Sequence, residues 1–419
     1  MHKAIEIAYK TKHTKIGEIP KDWKLDKLRK NAIVLFSNVD KHIKEDEIPV
    51  LLCNYTDVYY YNYILSNIPF SAGSVKPVEF HKFKLHKGDV IITKDSEDRK
   101  DIAVPAYVIE EIPNLVCGYH LAIIRPNEAH LDGVFLSLLL QSHNVNHYFQ
   151  KLANGVTRFG LTTDSIKNAL IPVPPLLEQQ KIAEILSTWD LAISTTKNLI
   201  NELKLRNKGL SQQLLTGKKR LKGFDKDWQD LRILDIANQQ NIFNRDNLEI
   251  EVLSCTKYDG LVRSLDYFKR QVFGNDLTKY KIVPKGSFAY ATNHIEEGSI
   301  GYQNLLDRGL VSPMYTVFKT KPEINDEFFF RLLKTDRMIY AYQSNTSGSI
   351  ARRGGLRWND FSTLQINIPS FEEQGAINSV LSEADKELKL YQQQIDKLKE
   401  QKKGLMQKLL TGEVRVETN

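Results

Sequence analysis

Two stretches of the chain repeat apolar residues every seventh position. In the first, Leu186, Ile193, Ile200 and Leu214 recur in step, with Trp189, Leu203 and Leu210 forming the companion position. In the second, Leu381, Leu388, Ile395 and Leu409 recur beside Ala384, Tyr391, Leu398 and Leu405. A period of seven sustained this long outlasts an ordinary domain helix and predicts a coiled coil. The ends carry matching signals. Pro174 and Pro175 suit a first turn whose amides are unpaired anyway, Glu178 suits the positive helix end, and Gly217 and Gly412 stand where a left-handed stop belongs. At about 1.5 Å per residue, residues 174–216 would make a rod of roughly 60 Å. Asn207 and Lys402 interrupt the same core position in both copies, as register specifiers or as a wet layer near the helix ends. Between the helices the pattern changes to mixed α/β. Val90-Ile91-Ile92 and Leu121-Ala122-Ile123-Ile124 read as buried strands, and residues 135–149 and 328–340 have helical spacing.

The two helical stretches are copies of one another. Residues 171–221 align without a gap to residues 366–416, an offset of 195. Pro174 meets Pro369, Glu178-Gln179 meets Glu373-Gln374, Asp190 meets Asp385, and Leu214-Leu215-Thr216-Gly217 meets Leu409-Leu410-Thr411-Gly412. Upstream the match reaches Gly160-Leu161 against Gly355-Leu356, then drifts, with Lys87-Gly88 still echoed by Lys285-Gly286 and Lys21-Asp22-Trp23 by Lys226-Asp227-Trp228. The order is therefore domain, helix, domain, helix, an internal repeat that fixes the architecture. It predicts a basic tail over 1–18, a first globular domain over 19–170, a first helix over 171–222, a second domain over 223–365 and a second helix over 366–419.

Composition narrows the class. With 42% hydrophobic and 26% charged residues in 419, the chain can bury two cores and lacks the signature of disorder. A formal charge of +7 favours a polyanionic partner, and residues 197–222 hold eight basic side chains against the single acid Glu202, a pattern that also suits a solvated helix face. Cys53, Cys117 and Cys255 have no paired spacing for zinc or a disulfide framework, which fits ordinary buried thiols in a reducing cytoplasm. No run of about eighteen apolar residues occurs, so neither a membrane span nor a secretory leader is expected.

The loops carry the candidate chemistry. Asn154-Gly155-Val156-Thr157-Arg158-Phe159-Gly160 closes the first domain, and 347–355, with Ser349, Arg352 and Arg353, closes the second. Glycines permit close approach to a phosphate backbone, and arginine can grip a phosphate or read guanine bidentately. Thr93, Lys94, Asp95 and Arg99 follow a buried strand in a loop of donors and acceptors suited to base reading or to a solvated turn, whereas a metal would require its carboxylates to converge with further oxygen ligands. The corresponding loop of the second domain, 292–297, offers Asn293, which suits adenine. DNA-contact candidates are thus Thr93, Lys94, Asp95, Arg99, Thr157, Arg158, Asn293, Ser349, Arg352 and Arg353, each of which could equally lie in a solvated turn. The aromatic run 54–61 could stack on bases, although core and rim packing is the commoner use. Catalytic motifs are missing. Residues 155–162 imitate a phosphate-binding loop but place Leu161 where lysine is needed, and Ser312-Pro313-Met314-Tyr315 only superficially resembles the tetrapeptide of adenine methylation.

Together these features resemble the specificity subunit of type I restriction-modification systems, across nearly the whole chain. The resemblance rests on the Trp23 and Trp228 segments, Asn54-Tyr55-Thr56-Asp57-Val58-Tyr59, residues 92–98, Ser312-Pro313-Met314-Tyr315, both Pro-x-x-x-Glu-Gln helix starts and both Leu-Leu-Thr-Gly exits. It implies an α+β fold with two mixed α/β target-recognition domains separated by two long helices, packed as an antiparallel coiled coil with a pseudo-two-fold repeat. It implies a non-catalytic DNA-recognition subunit, each domain reading one half of a split asymmetric site in double-stranded DNA. Two methyltransferase subunits, and two restriction subunits in a larger assembly, would be the partners. S-adenosylmethionine, ATP and Mg would belong to those chains, and neither cofactor nor metal to this one. A stand-alone duplicated DNA-binding regulator is the alternative, and a self-contained enzyme would need binding motifs that the sequence lacks.

Overall fold

The structure, a computed structural model, describes residues 10–346 and 355–417. Its contacts divide the chain into two compact units, Met1–Lys197 with Gln393–Asn419, and Asn198–Gln392. The divide falls inside both long helices, not at 170/171 and 365/366 where the sequence pattern changes, because each half-helix buries its apolar face on the globular domain of its own unit.

In the first unit a five-stranded sheet runs Ala32–Phe36, Leu121–Pro126, Val90–Thr93, Pro105–Val108, Tyr63–Ile64, antiparallel except for its last pair. The apolar runs read as buried strands are its centre, and their unbroken hydrophobicity has a simple cause. Val90, Ile92, Ala122 and Ile124 face one core with the helical layer, while Ile91, Leu121 and Ile123 face a second core built with the sheet Leu115–Cys117, Ile48–Cys53, Ser71–Val75. A strand buried on both faces has no polar alternation to show. The helix expected over 135–149 is two helices, Gly133–Gln141 and His143–Leu152, because Ser142 turns to an extended conformation and its hydroxyl donates to the Leu139 carbonyl at 2.6 Å. In the second unit the stretch 328–340 is likewise split between Asp326–Leu333 and Asp336–Thr346. There a four-stranded sheet, Ala237–Gln240, Tyr315–Thr320, Phe288–Ala291, Ile300–Tyr302, carries Phe288, Tyr290 and Phe318 towards one core and Ala289 and Val317 towards another.

The long helices span Leu176–Leu215 and Phe371–Leu410. All ten expected seam residues, Leu186, Ile193, Ile200, Leu203, Leu210, Leu381, Leu388, Ile395, Leu398 and Leu405, are buried or half-buried. Within each unit the two helices run antiparallel. In the first, Leu186 shares a core with Leu405 and Leu409, and Asp190 pairs with Lys402 at 2.5 Å. In the second, Leu381 shares a core with Leu210 and Leu214, Arg206 pairs with Glu387 at 2.6 Å, and the Asn207 amide donates to the Ala384 carbonyl at 2.8 Å. Asn207 and Lys402 therefore make specific bonds across the pair and do not form a wet layer.

The repeated helix termini do the same work twice. Gln179 accepts from the Asp132 amide at 2.9 Å, and Gln374 accepts from the Asn325 amide at 2.8 Å. Asp132 and Asn325 cap the helices that follow them, so each glutamine ties a capping residue to the long helix. At the far ends Gly217 and Gly412 adopt φ of 69° and 70°, and bonds from Lys219 to Gln213 and from Val414 to Lys408 close the same left-handed exit. That exit delivers Arg220 onto Glu373 within the second unit and Arg415 onto Glu178 and Asp22 within the first. Trp228 and Trp23 each lie beneath the respective guanidinium at 5.8 Å. Among the described residues no helix is long and apolar enough to cross a membrane.

Candidate nucleic-acid interface

The two loops singled out in the first domain meet. Leaving the central strand Val90–Thr93, the chain forms the short strand Asp95–Ser96, which pairs antiparallel with Phe159–Gly160 from the glycine loop. Gly155 permits the turn: its φ is 125°, and a Cβ there would lie 1.9 Å from the Arg158 carbonyl oxygen. The turn leaves Val156, Thr157 and Arg158 exposed, and it swings the Arg158 Nη2 onto the Asp95 carboxylate at 2.7 Å.

A third group completes this cluster. His120, in the turn before the strand Leu121–Pro126, places Nδ1 2.6 Å from the same Asp95 oxygen and 3.0 Å from the Arg158 Nη2. The carboxylate keeps the guanidinium charged, raising its already high pKa, chiefly through this hydrogen bond. Beside the cluster opens a shallow pocket of about 200 Å³ lined by Asp40, Lys41, Asn54, Tyr55, Tyr119 and His120. Tyr55 donates to Ser96 at 3.3 Å and Tyr59 to Asp101 at 3.3 Å, so the aromatic run braces the loop, with Val58 buried and Tyr60 exposed.

The loop's residues divide into scaffold and surface. Thr93, expected to touch DNA, is fully buried; its hydroxyl donates to the Asp101 carbonyl at 2.5 Å and accepts from the Val104 amide at 3.0 Å, leaving nothing to offer a ligand. Lys94 is likewise drawn inward. Its ammonium donates to the Ser37 carbonyl at 2.6 Å between the rings of Phe36 and Tyr119, and burial pulls its pKa down. Both correct the sequence expectation, for the same reason: the side chain is spent on holding the loop. Arg99 is exposed, bonded to the Gln150 carbonyl at 3.2 Å and stacked 4.6 Å from the Phe159 ring. Sequence reasoning missed His120 and Tyr119; the one available signal was a polar aromatic pair immediately before an apolar strand.

The second domain repeats the frame with other side chains. The strand register sets Ala291 opposite Tyr315 as it sets Thr93 opposite Leu121, so Thr292 and Asn293 occupy the places of Lys94 and Asp95, and Met314 that of His120. The Leu356 amide donates to the Thr292 carbonyl at 3.0 Å, as Leu161 does to Lys94 at 2.8 Å. Gly355 is required there, since a Cβ would come within 2.3 Å of the Thr292 oxygen. Asn293 is exposed. Ser349, Arg352 and Arg353 lie outside the described residues. His294, Glu296 and Glu297 bring three ligand-type atoms within 4.8 Å, but all three are exposed or half-exposed, as acidic turns commonly are without an ion.

The chain is similar to known proteins along most of its length. The profile described as type I restriction modification DNA specificity domain matches twice, over residues 41–205 and 225–400. A putative type I restriction enzyme MjaX specificity subunit from Methanocaldococcus jannaschii is 24% identical, with 97% of each chain covered. The MjaVIII specificity subunit of the same organism is 27% identical over 60% of this chain and 63% of its own. The fold matches the crystal structures of the S subunit from M. genitalium, with a TM-score of 0.52, 16% identity and coverage of 92% and 96%, and of the HsdS subunit from Thermoanaerobacter tengcongensis, with 0.54, 15%, 94% and 98%. Two matched specificity domains on the two halves of an internal repeat show that this chain belongs to the type I restriction-modification DNA specificity family.

Proposed function

We propose that each globular domain reads one half of a bipartite, asymmetric DNA site, and that the paired helices set the spacer between the halves and dock two methyltransferase subunits. The observation that carries this reading is the contrast between frame and reading groups. The frame repeats in both halves the glutamine tie, the left-handed exit and the arginine on a buried glutamate. The groups presented on it differ: Asp95, His120 and Arg158 on one, Asn293 and Met314 on the other. One scaffold with two different surfaces suits two unlike half-sites. A good base contact discriminates by about 1 to 3 kcal/mol, so two domains held at a fixed spacing multiply selectivities that neither has alone.

In this reading the chain is not an enzyme. Methyl transfer from S-adenosylmethionine belongs to the modification subunits, and ATP-driven, Mg-dependent cleavage to two restriction subunits where they join, all in the cytoplasm. Mapping methylated bases across the genome of cells carrying this chain and its modification subunit tests it. A split motif with unlike halves is expected, together with no methylation or cleavage by the pure chain; a continuous palindromic motif, or turnover by the pure chain, would overturn the reading.

A further inference from the structure

The cluster of Asp95, His120 and Arg158 is specific enough to name a base pair. A carboxylate oxygen only accepts, so the His120 Nδ1 at 2.6 Å from Asp95 carries the proton. In the neutral form of that tautomer Nε2 is the acceptor, and among the described residues no hydrogen bond occupies it. Arg158 is tethered through Nη2 alone; its Nε and Nη1 have no partner among the described residues, and the second hydrogen of Nη2, with Nε or Nη1 beside it, remains as a bidentate donor edge. The two side chains are 37% and 56% exposed, whereas Asp95, which holds both, is 18% exposed. The cluster thus offers outward a donor edge and an acceptor, fixed relative to each other from beneath by one carboxylate.

Charge decides what this surface faces. Residues 95–101 hold the acids Asp95, Glu97, Asp98 and Asp101 against the bases Arg99 and Lys100. An arginine 2.7 Å from a carboxylate, in a loop with excess negative charge, is a poor phosphate ligand because the same acids repel the phosphate. Base edges carry no net charge and are not repelled. In the major groove guanine shows two acceptors, N7 and O6, and its cytosine shows the N4 donor; adenine sets a donor where O6 would be and so opposes the arginine edge.

We propose that the first domain reads a G·C pair in the major groove, Arg158 donating to guanine N7 and O6 and His120 Nε2 accepting from cytosine N4, with Asp95 positioning both. This rests on the assignment of the domain as a DNA reader. The second domain has Asn293 and Met314 where the first has Asp95 and His120, so it lacks this carboxylate and this acceptor and is expected to read a different base there.

The test is selection from randomised duplex DNA by the full chain assembled with its modification subunit. The wild type is expected to fix one G·C position in one half-site with discrimination of about 10- to 100-fold. Arg158→Ala relaxes that position alone, and H120F relaxes the preference for its cytosine partner. Replacing the guanine by 7-deazaguanine weakens the wild type but not the Arg158→Ala protein, whose melting temperature is unchanged. The proposal is overturned if Arg158→Ala lowers affinity equally for all sequences and reduces the salt dependence by about one phosphate contact, if the motif is unchanged, or if the relaxed position is A·T. Should the wild type select no motif at all, the DNA-reading assignment itself falls and the base-pair proposal with it; a wild-type motif that survives Arg158→Ala sinks the base-pair proposal alone.

Discussion

Glu178 and Glu373 start the two long helices with carboxylates that are 4% and 2% exposed, a burial that only a cation at bonding distance makes tolerable. Arg415 and Arg220 supply it from beyond the opposite helix ends, and Trp23 adds an indole donor to Glu178 at 3.2 Å. Removing the glutamate leaves Arg415 with Asp22 and Arg220 with the Lys226 carbonyl. Glu178→Ala is therefore expected to destabilise the first unit, and Glu373→Ala the second, each seen as faster hydrogen exchange confined to its own unit. Exchange that accelerates in both units, or in neither, would count against the two latches. At the other end of the first unit's seam, Tyr63 donates to Asp190 at 3.1 Å; burial first, and that carboxylate second, push its phenol up to about 12. The folded pKa lies above the unfolded value near 10, so this stabilisation is complete below pH 10 and is lost as pH rises towards 12. A Tyr63→Phe protein should lose less stability than the wild type across that window in thermal melts.

The helices were legible at nearly full resolution because a period of seven, proline at one end and glycine at the other are local signals. Their polar interruptions were not. Lys402 is 7% exposed because Asp190 stands opposite it, whereas Asn207 is satisfied by a backbone carbonyl. The two are equivalent in sequence and unequal in energy. Lys402→Met takes the cation from a carboxylate that is 15% exposed, leaving it the Tyr63 hydroxyl, and should cost about 3 kcal/mol, much of it recovered when Asp190→Asn is added. Asn207→Leu exchanges the bond to the Ala384 carbonyl, and those accepted from the exposed Arg206, for apolar surface and should lie within about 1 kcal/mol of the wild type. Denaturant titration of the wild type, Lys402→Met, Asp190→Asn and their double variant measures the coupling; additive costs for Lys402→Met and Asp190→Asn would mean that the ion pair does not hold the seam.

For the molecule as a whole, spacing is part of the recognition code in the function proposed above, and the unit divide shows where to alter it. Lengthening the first helix after Leu215 would break the exit that seats Arg220 on Glu373. Seven residues inserted in both helices, after Lys197 and after Gln392, keep both seams in phase and both latches intact. Each added heptad contributes about 10 Å, or about three base-pair steps. The methylated motif should retain both halves with a spacer about three base pairs longer; a fixed spacer, or a changed half-site, would remove the helices from the role of ruler.

The repeat, the two long helices and the buried strands could be read from the chain alone, since each depends on periodicity or on a residue a few places away. Tertiary structure decided which loop residues face solvent. Thr93 and Lys94 looked as polar as Asp95, yet the fold turns them inward, because the strand is buried on both faces up to Thr93 and the Asp101 and Ser37 carbonyls need internal donors. His120 reaches Asp95 across 25 residues and Arg158 across 63, distances in sequence over which no local pattern carries information. Their meeting is set by the register of Val90–Thr93 with Leu121–Pro126 and of Asp95–Ser96 with Phe159–Gly160. Register is a property of pairing, and a one-residue slip would turn every side chain in it to the other face.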